Sequence, residues 1–292
     1  MLKPTWERDG IALYCGDCLQ SLPQLEAVGL IVTSPPYNCR MPYGAFVDEM
    51  PWADYYAFVG RLLDTCYGVL EMGGTLAIVV PGVIRWQADH KYAGTWAGFD
   101  AGYRTHRNGI KVLGRARIEP LGFKVFGMMA ERDPHVREPI VWVKGVNGPV
   151  ASEWRMGCDS DPYMRPSHEM ILLGSKGQWF HRGGTGRRGP EAVPFLEETK
   201  DVWMIPARSV KGHPASFPSE IPERLARLFL HSEDSTVCDP MMGSGQTALA
   251  AIRCGRRFIG CDISPQYFDL SVSRIEKALA EKAAELPLGA TA

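Results

Sequence analysis

Apolar residues come along this chain in short unbroken runs that end in polar, glycine-bearing corners, the pattern of strands covered on both faces. Leu30-Ile31-Val32 running into Thr33 is one such run and Thr75-Leu76-Ala77-Ile78-Val79-Val80 another. Between them, Asp54 to Glu71 places Phe58, Leu62, Leu63, Tyr67 and Leu70 at helical spacing, with Gly73-Gly74 reading as the stop. The three segments make a β-α-β unit. The C-terminal part repeats the pattern over 236–263: a strand from Thr236, a glycine turn, a helix from Ala248 to Arg253, and a strand Arg257 to Cys261. Ser264-Pro265 then opens a last helix with a cap followed by proline at the first position. Runs at 139–145 and 168–174 predict antiparallel strands at one edge. The fold class is α/β: a mostly parallel sheet with helices on both faces, and ligands at the carboxyl ends of its strands. Segments 82–118 and 176–212 lack either period and read as inserted recognition elements.

The strand at 30–33 empties into Ser34-Pro35-Pro36-Tyr37-Asn38. Each proline fixes φ, removes an N–H and biases its predecessor toward extended geometry, which turns carbonyls toward a ligand. Ser34 and the Pro35 carbonyl can then accept both hydrogens of an exocyclic amine, with the Tyr37 ring as a stacking face. That chemistry suits a nucleobase. Taken alone, such a hexapeptide is more often a stiffened turn. The second half of the chain changes that balance. Cys238-Asp239-Pro240-Met241-Met242-Gly243-Ser244-Gly245 is a strand passing through a glycine turn into a helix N-terminus, and the next strand ends on Asp262. Glycines there admit positive φ and close ligand approach, the helix end adds donors, and the acid can take ribose hydroxyls. An adenosine-type cofactor is the expectation.

These stretches together resemble the DNA amino-methyltransferases that use S-adenosylmethionine, in the permuted order called the β class, where the catalytic motif precedes the cofactor loop. Ile11 to Cys18 looks like that family's opening strand and acidic residue Asp17; Pro139 to Lys144 and His168 to Leu173 resemble two late strands. His213-Pro214-Ala215-Ser216-Phe217-Pro218 resembles the piece that closes over the cofactor methionine, ahead of a helix from Ser219 to His231. The resemblance implies a Rossmann-like fold in one catalytic domain, 1–292, with a catalytic half at 1–81 and a cofactor half at 213–292. It implies Ser34, Pro35, Pro36 and Tyr37 as catalytic residues. The cofactor residues implied are Asp17, His213, Phe217, Asp239, Pro240, Met242, Gly243, Ser244, Gly245 and Asp262. One departure is Met241, where the family usually has an aromatic residue.

Serine at the head of the tetrapeptide favours cytosine N4 over adenine N6 as target, by resemblance. RNA or a protein amide would use the same amine pocket, although protein-amide enzymes carry Asn where this chain has Ser34. A nicotinamide or flavin oxidoreductase would share the glycine turn but leaves Ser34 to Tyr37 without a purpose, and a non-catalytic DNA binder would not need both motifs.

Net charge over 292 residues is −1, yet basic residues crowd two stretches. Arg104, Arg107 and Lys111 lie in one insert, and Arg182, Arg187 and Arg188 in the other. Both suit phosphate contacts on double-stranded DNA. None of the eight cysteines follows a proline, so the Pro-Cys nucleophile of carbon-5 cytosine methylation is missing. Cys15-x-x-Cys18 has no second close pair, which argues against a zinc site. No run approaches bilayer length and residues 1–10 are mixed and polar, so no membrane association and a cytoplasmic location are expected. A homodimer and a cognate restriction endonuclease stay open as partners.

Overall fold

A computed structural model describes residues 2–86, 103–105, 111–113, 117–145, 167–177, 192–230 and 234–285. The strands are β1 (Trp6–Arg8), β2 (Ile11–Cys15), β3 (Val28–Thr33), β4 (Leu70–Val80), β5 (Ile84–Trp86), β6 (Tyr103–Thr105), β7 (Lys111–Leu113), β8 (Arg117–Glu119), β9 (Arg137–Val143), β10 (His168–Ser175), β11 (Val202–Met204), β12 (Thr236–Asp239) and β13 (Arg257–Asp262). The helices are α1 (Cys18–Ser21), α2 (Trp52–Val69), α3 (Leu121–Arg132), α4 (Ala192–Glu198), α5 (Glu220–Phe229), α6 (Gln246–Arg253) and α7 (Pro265–Glu285). Nine strands form one sheet in the order β1-β2-β13-β12-β3-β4-β10-β9-β11. The run from β2 to β4 is parallel throughout.

Strand alternation divides the core in two. Leu30 and Val32 of β3 and Ala77 and Val79 of β4 face α5, α6 and α7. Ile31, Leu76, Ile78 and Val80 face α1, α2 and α3 instead. Both faces of the central strands are therefore buried, which is why they read as continuous apolar runs.

The structure revises three expectations. Gly73-Gly74 does not stop the helix. Leu70 turns to extended geometry (φ −63°, ψ 141°) directly after α2 and pairs with Val28, and the glycines sit inside β4. Pairing jumps from Val28↔Leu70 to Leu30↔Thr75, and Gly73, at φ 84°, opens the bulge this requires. Second, the antiparallel pair β9 and β10 is present but is not outermost, because β11 lies beyond it, parallel to β9. Segment 176–212 is correspondingly more regular than its pattern suggested, since it holds α4 and β11. Third, the opposite edge is also antiparallel: Asp9 (φ 49°) and Gly10 (φ 78°) turn β1 back onto β2. An Asp-Gly pair with both φ positive is the turn whose twist suits a two-residue hairpin.

Candidate active site

Four neighbouring strands, β2, β13, β12 and β3, deliver Asp17, Asp262, the glycine turn and Ser34 to one end of the sheet. The pairings Val237↔Leu30 and Cys238↔Ile31 fix the glycine turn beside the serine corner. The two motifs are thus adjacent, as a shared site for amine and cofactor requires.

The glycine turn is held from beneath. Asp239, 1% exposed, accepts from the Met241 N–H at 3.1 Å and the Thr247 hydroxyl at 2.7 Å. Burial pushes its carboxyl up to about 6, against the pull of those two donors. Asp262 accepts from the Gly243 N–H and the Ser264 N–H, each at 2.8 Å, and burial pushes it also up to about 6. Gly243 (φ 50°) and Gly245 (φ 75°) occupy the left-handed region. A Cβ on Gly243 would stand 2.6 Å from His213 Nε2, so the imidazole lies directly on the turn. Ser271 donates to the Gly243 carbonyl at 2.8 Å, and Arg274 donates to the Ser244 carbonyl and, at 3.1 Å, to Gln246. Asp17 caps α1 through a 2.9 Å bond from the Leu19 N–H.

Two buried polar atoms at the turn have no hydrogen-bond partner among the described residues, His213 Nδ1 and Ser244 Oγ, and Ser216 Oγ is a third on the segment after His213. Buried polar groups are ordinarily satisfied. An unpartnered hydroxyl and imidazole nitrogen at a positive-φ turn fit a polar ligand such as the amino-acid end of S-adenosylmethionine. Burial pushes the His213 imidazole down to about 4, and the nearby Arg274 charge adds to the effect, so the ring is neutral near pH 7. Ile263, beside Asp262, leaves an aliphatic side chain 48% exposed at the same strand end, a surface for a flat apolar ring. Pro240 and Met242 are buried in the turn, and Phe217 packs into the core against the α5 side.

At the serine corner, Ser34 Oγ lies 2.8 Å from the Tyr37 hydroxyl. That hydroxyl also lies 3.3 Å from the Val79 carbonyl and 3.2 Å from Glu169 Oε2. Lys144 closes the chain by pairing with the other Glu169 oxygen. Burial and the Glu169 charge push the Tyr37 phenol far up, so it keeps its hydrogen. Tyr37 is only 9% exposed. The ring is held in place by its own hydroxyl, which points inward to Val79 and Glu169. Tyr55 donates to the Pro36 carbonyl at 2.8 Å, whereas among the described residues no hydrogen bond engages the Pro35 carbonyl. Beyond the corner, Asn38 (φ 58°) and Arg40 (φ 66°) bend the chain around the buried Asp48 carboxylate. Asp48 accepts from the N–H groups of Asn38 (2.6 Å), Met41 (2.9 Å) and Cys39 (3.1 Å). Tyr43 of this loop reaches the His213 ring (centroids 6.2 Å apart), which in turn packs on Tyr267 at 4.6 Å.

Sequence reasoning did not assign roles to Glu169, Lys144, Asp48, Arg274 or Ile263. A signal for Glu169 was present, because a lone acid heads an otherwise apolar strand. Asp48, in a loop, offered none. Arg107, Arg182, Arg187 and Arg188 lie outside the described residues. Arg104 and Lys111 lie on the paired strands β6 and β7, where the backbone alone is described.

The N6/N4 methyltransferase family, described as DNA methylase, matches the chain over residues 28–273. Among curated proteins, the type II methyltransferase M.ScaI of Streptomyces caespitosus is 25% identical, the match covering 94% of this chain and 84% of that one. M.Cfr9I of Citrobacter freundii is 26% identical, with 92% and 89% covered. Among solved structures, a DNA modification methylase of Thermus thermophilus complexed with S-adenosyl-L-methionine is 25% identical, at a TM-score of 0.61, with 91% and 95% covered. The PvuII cytosine-N4-specific DNA methyltransferase reaches a TM-score of 0.65 at 18% identity, with 95% and 93% covered, a likeness of fold.

Proposed function

The chain belongs to the N6/N4 family of DNA methylases, S-adenosylmethionine-dependent enzymes that methylate an exocyclic amine, and from that premise we propose that its target is cytosine N4 in double-stranded DNA. The observation that carries the reading is Ser34 standing beside the glycine turn, with a small hydroxyl and a Pro35 carbonyl that no described residue engages at the head of the corner. Serine at this position supports cytosine; adenine N6 offers the same amine and is the competing product.

Bound S-adenosylmethionine supplies an electrophilic methyl group. Gly243, Ser244, Gly245 and His213 hold its amino-acid end, and Asp262, Asp17 and Ile263 its nucleoside end. The Asp239 carboxylate, 1% exposed and holding the Met241 N–H and the Thr247 hydroxyl, acts through the shape of the turn. The target amine is a poor nucleophile, because its lone pair is delocalised into the ring. Ser34 Oγ and the Pro35 carbonyl accept its hydrogens and concentrate electron density on nitrogen. Holding the reactants in attack geometry contributes up to roughly 7–11 kcal/mol in well-oriented systems. A duplex base must leave the stack to enter, at a cost of a few kcal/mol. Contacts from Arg104, Arg107, Lys111, Arg182, Arg187 and Arg188 to phosphates offset it, with 82–118 and 176–212 reading the sequence. The halves 1–81 and 213–292 act as one catalytic domain.

Mass spectrometry of nucleosides from duplex DNA incubated with the protein and S-adenosylmethionine tests the assignment. N4-methylcytosine is the expected product, and N6-methyladenine alone would overturn it.

A further inference from the structure

Tyr37 stands at a junction where the supply of hydrogens is short. A phenol carries one hydrogen, the Val79 carbonyl only accepts, and the Glu169 carboxylate, paired to Lys144, only accepts. The two inward distances, 3.3 and 3.2 Å, are long for O–H···O bonds, as for one hydrogen shared between two acceptors. With that hydrogen committed inward, the Tyr37 oxygen can only receive at its 2.8 Å contact with Ser34. Ser34 is then the donor, its own hydrogen points away from the cleft, and only lone pairs face the incoming amine.

We infer that Glu169 is a positioning residue that sets the direction of the Ser34–Tyr37 hydrogen bond, so that Ser34 meets the target amine as an acceptor. The inference rests on the amine-acceptor reading of Ser34. Glu169 touches no reactant; it lies 4% exposed at the start of β10, and it acts through the phenol. Lys144 secures the arrangement. Because an ammonium only donates, any group at position 169 must turn an acceptor toward it. In Glu169→Gln the amide oxygen goes to Lys144, which leaves the amide nitrogen facing Tyr37 as a donor. The phenol hydrogen then stays with the Val79 carbonyl, and the amide N–H competes with the Ser34 hydroxyl for the phenol oxygen, so the serine is freed to present its hydrogen to the amine.

The test is a double-mutant cycle with single-turnover rates on duplex DNA, together with cofactor affinity and melting temperature for each protein. Glu169→Gln should lower the methyl-transfer rate about tenfold, the value of one well-placed hydrogen bond, with cofactor affinity unchanged. In a Ser34→Ala background the same change should have no further effect, because no hydroxyl remains to orient. Tyr37→Phe, which keeps the ring and deletes the junction, should slow transfer and likewise make Glu169→Gln silent. Losses that multiply in either background would overturn the inference, as would a Glu169→Gln protein at the wild-type rate. A Ser34→Ala protein that transfers at the wild-type rate would instead sink the acceptor reading beneath it.

Discussion

Asp239 keeps a carboxylate where almost no water reaches it, and that choice couples the glycine turn to pH. The group is pushed up to about 6 by burial, while in the unfolded chain it titrates near the ordinary value of about 3.9. Between those values the folded protein binds more protons than the unfolded one, so stability falls as pH rises through the window and stays lower above it. Asp262, also pushed up to about 6, adds in the same sense. The non-titrating variant Asp239→Asn should therefore have the flatter profile. In urea denaturation at pH 4 and pH 7, wild type should lose on the order of 2–3 kcal/mol relative to the variant. Parallel profiles would show that Asp239 does not titrate in this window. At this scale the sequence was legible where function demands a local signature. Ser34, Gly243 and Asp262 announce themselves through their immediate neighbours. Glu169 meets Tyr37 across 132 positions, and Asp48 meets Asn38 within an aperiodic loop, so neither role could be read without the fold.

Among the elements, α6 depends on a turn that only glycine enters without strain. Gly245 precedes the helix at φ 75°, ψ 25°, and an added Cβ would come within 3.0 Å of Ser271 Oγ. A left-handed alanine costs about 1–2 kcal/mol. The displaced Ser271 would also loosen its bond to the Gly243 carbonyl. Gly245→Ala should lower stability by about 2 kcal/mol in chemical denaturation and weaken cofactor binding with it. An unchanged midpoint would mean that the turn relaxes freely. The elements that were legible in the sequence are those buried on both faces, β3, β4, β12 and β13, whose apolar runs leave no alternative. Those misjudged lie where one side is open. The three residues of β11 alternate exposed, buried, exposed, too short a pattern to register. The Gly73-Gly74 pair signals an interruption equally well in a helix or a strand, and only the pairing of Leu70 with Val28 decides between them.

At the scale of the whole molecule, a chain of net charge −1 must still hold a polyanion. We propose that the basic inserts carry that attraction. Arg187→Ala combined with Arg188→Ala should weaken duplex binding and reduce the slope of log affinity against log salt by roughly one for each phosphate no longer neutralised. An unaltered slope would remove these arginines from the DNA surface. The sheet order has a consequence for how such a protein comes into being. Residue 30 hydrogen-bonds beside residue 237, so β3 and β2 are made early yet wait for β12 and β13 to fill the gap between them. Until β12 has left the ribosome, the serine corner is attached to a strand with one bare edge, a surface that invites mispairing. A chain cut short before β12 and β13 should therefore fail to methylate, because the strands that stand between β2 and the serine corner would be missing.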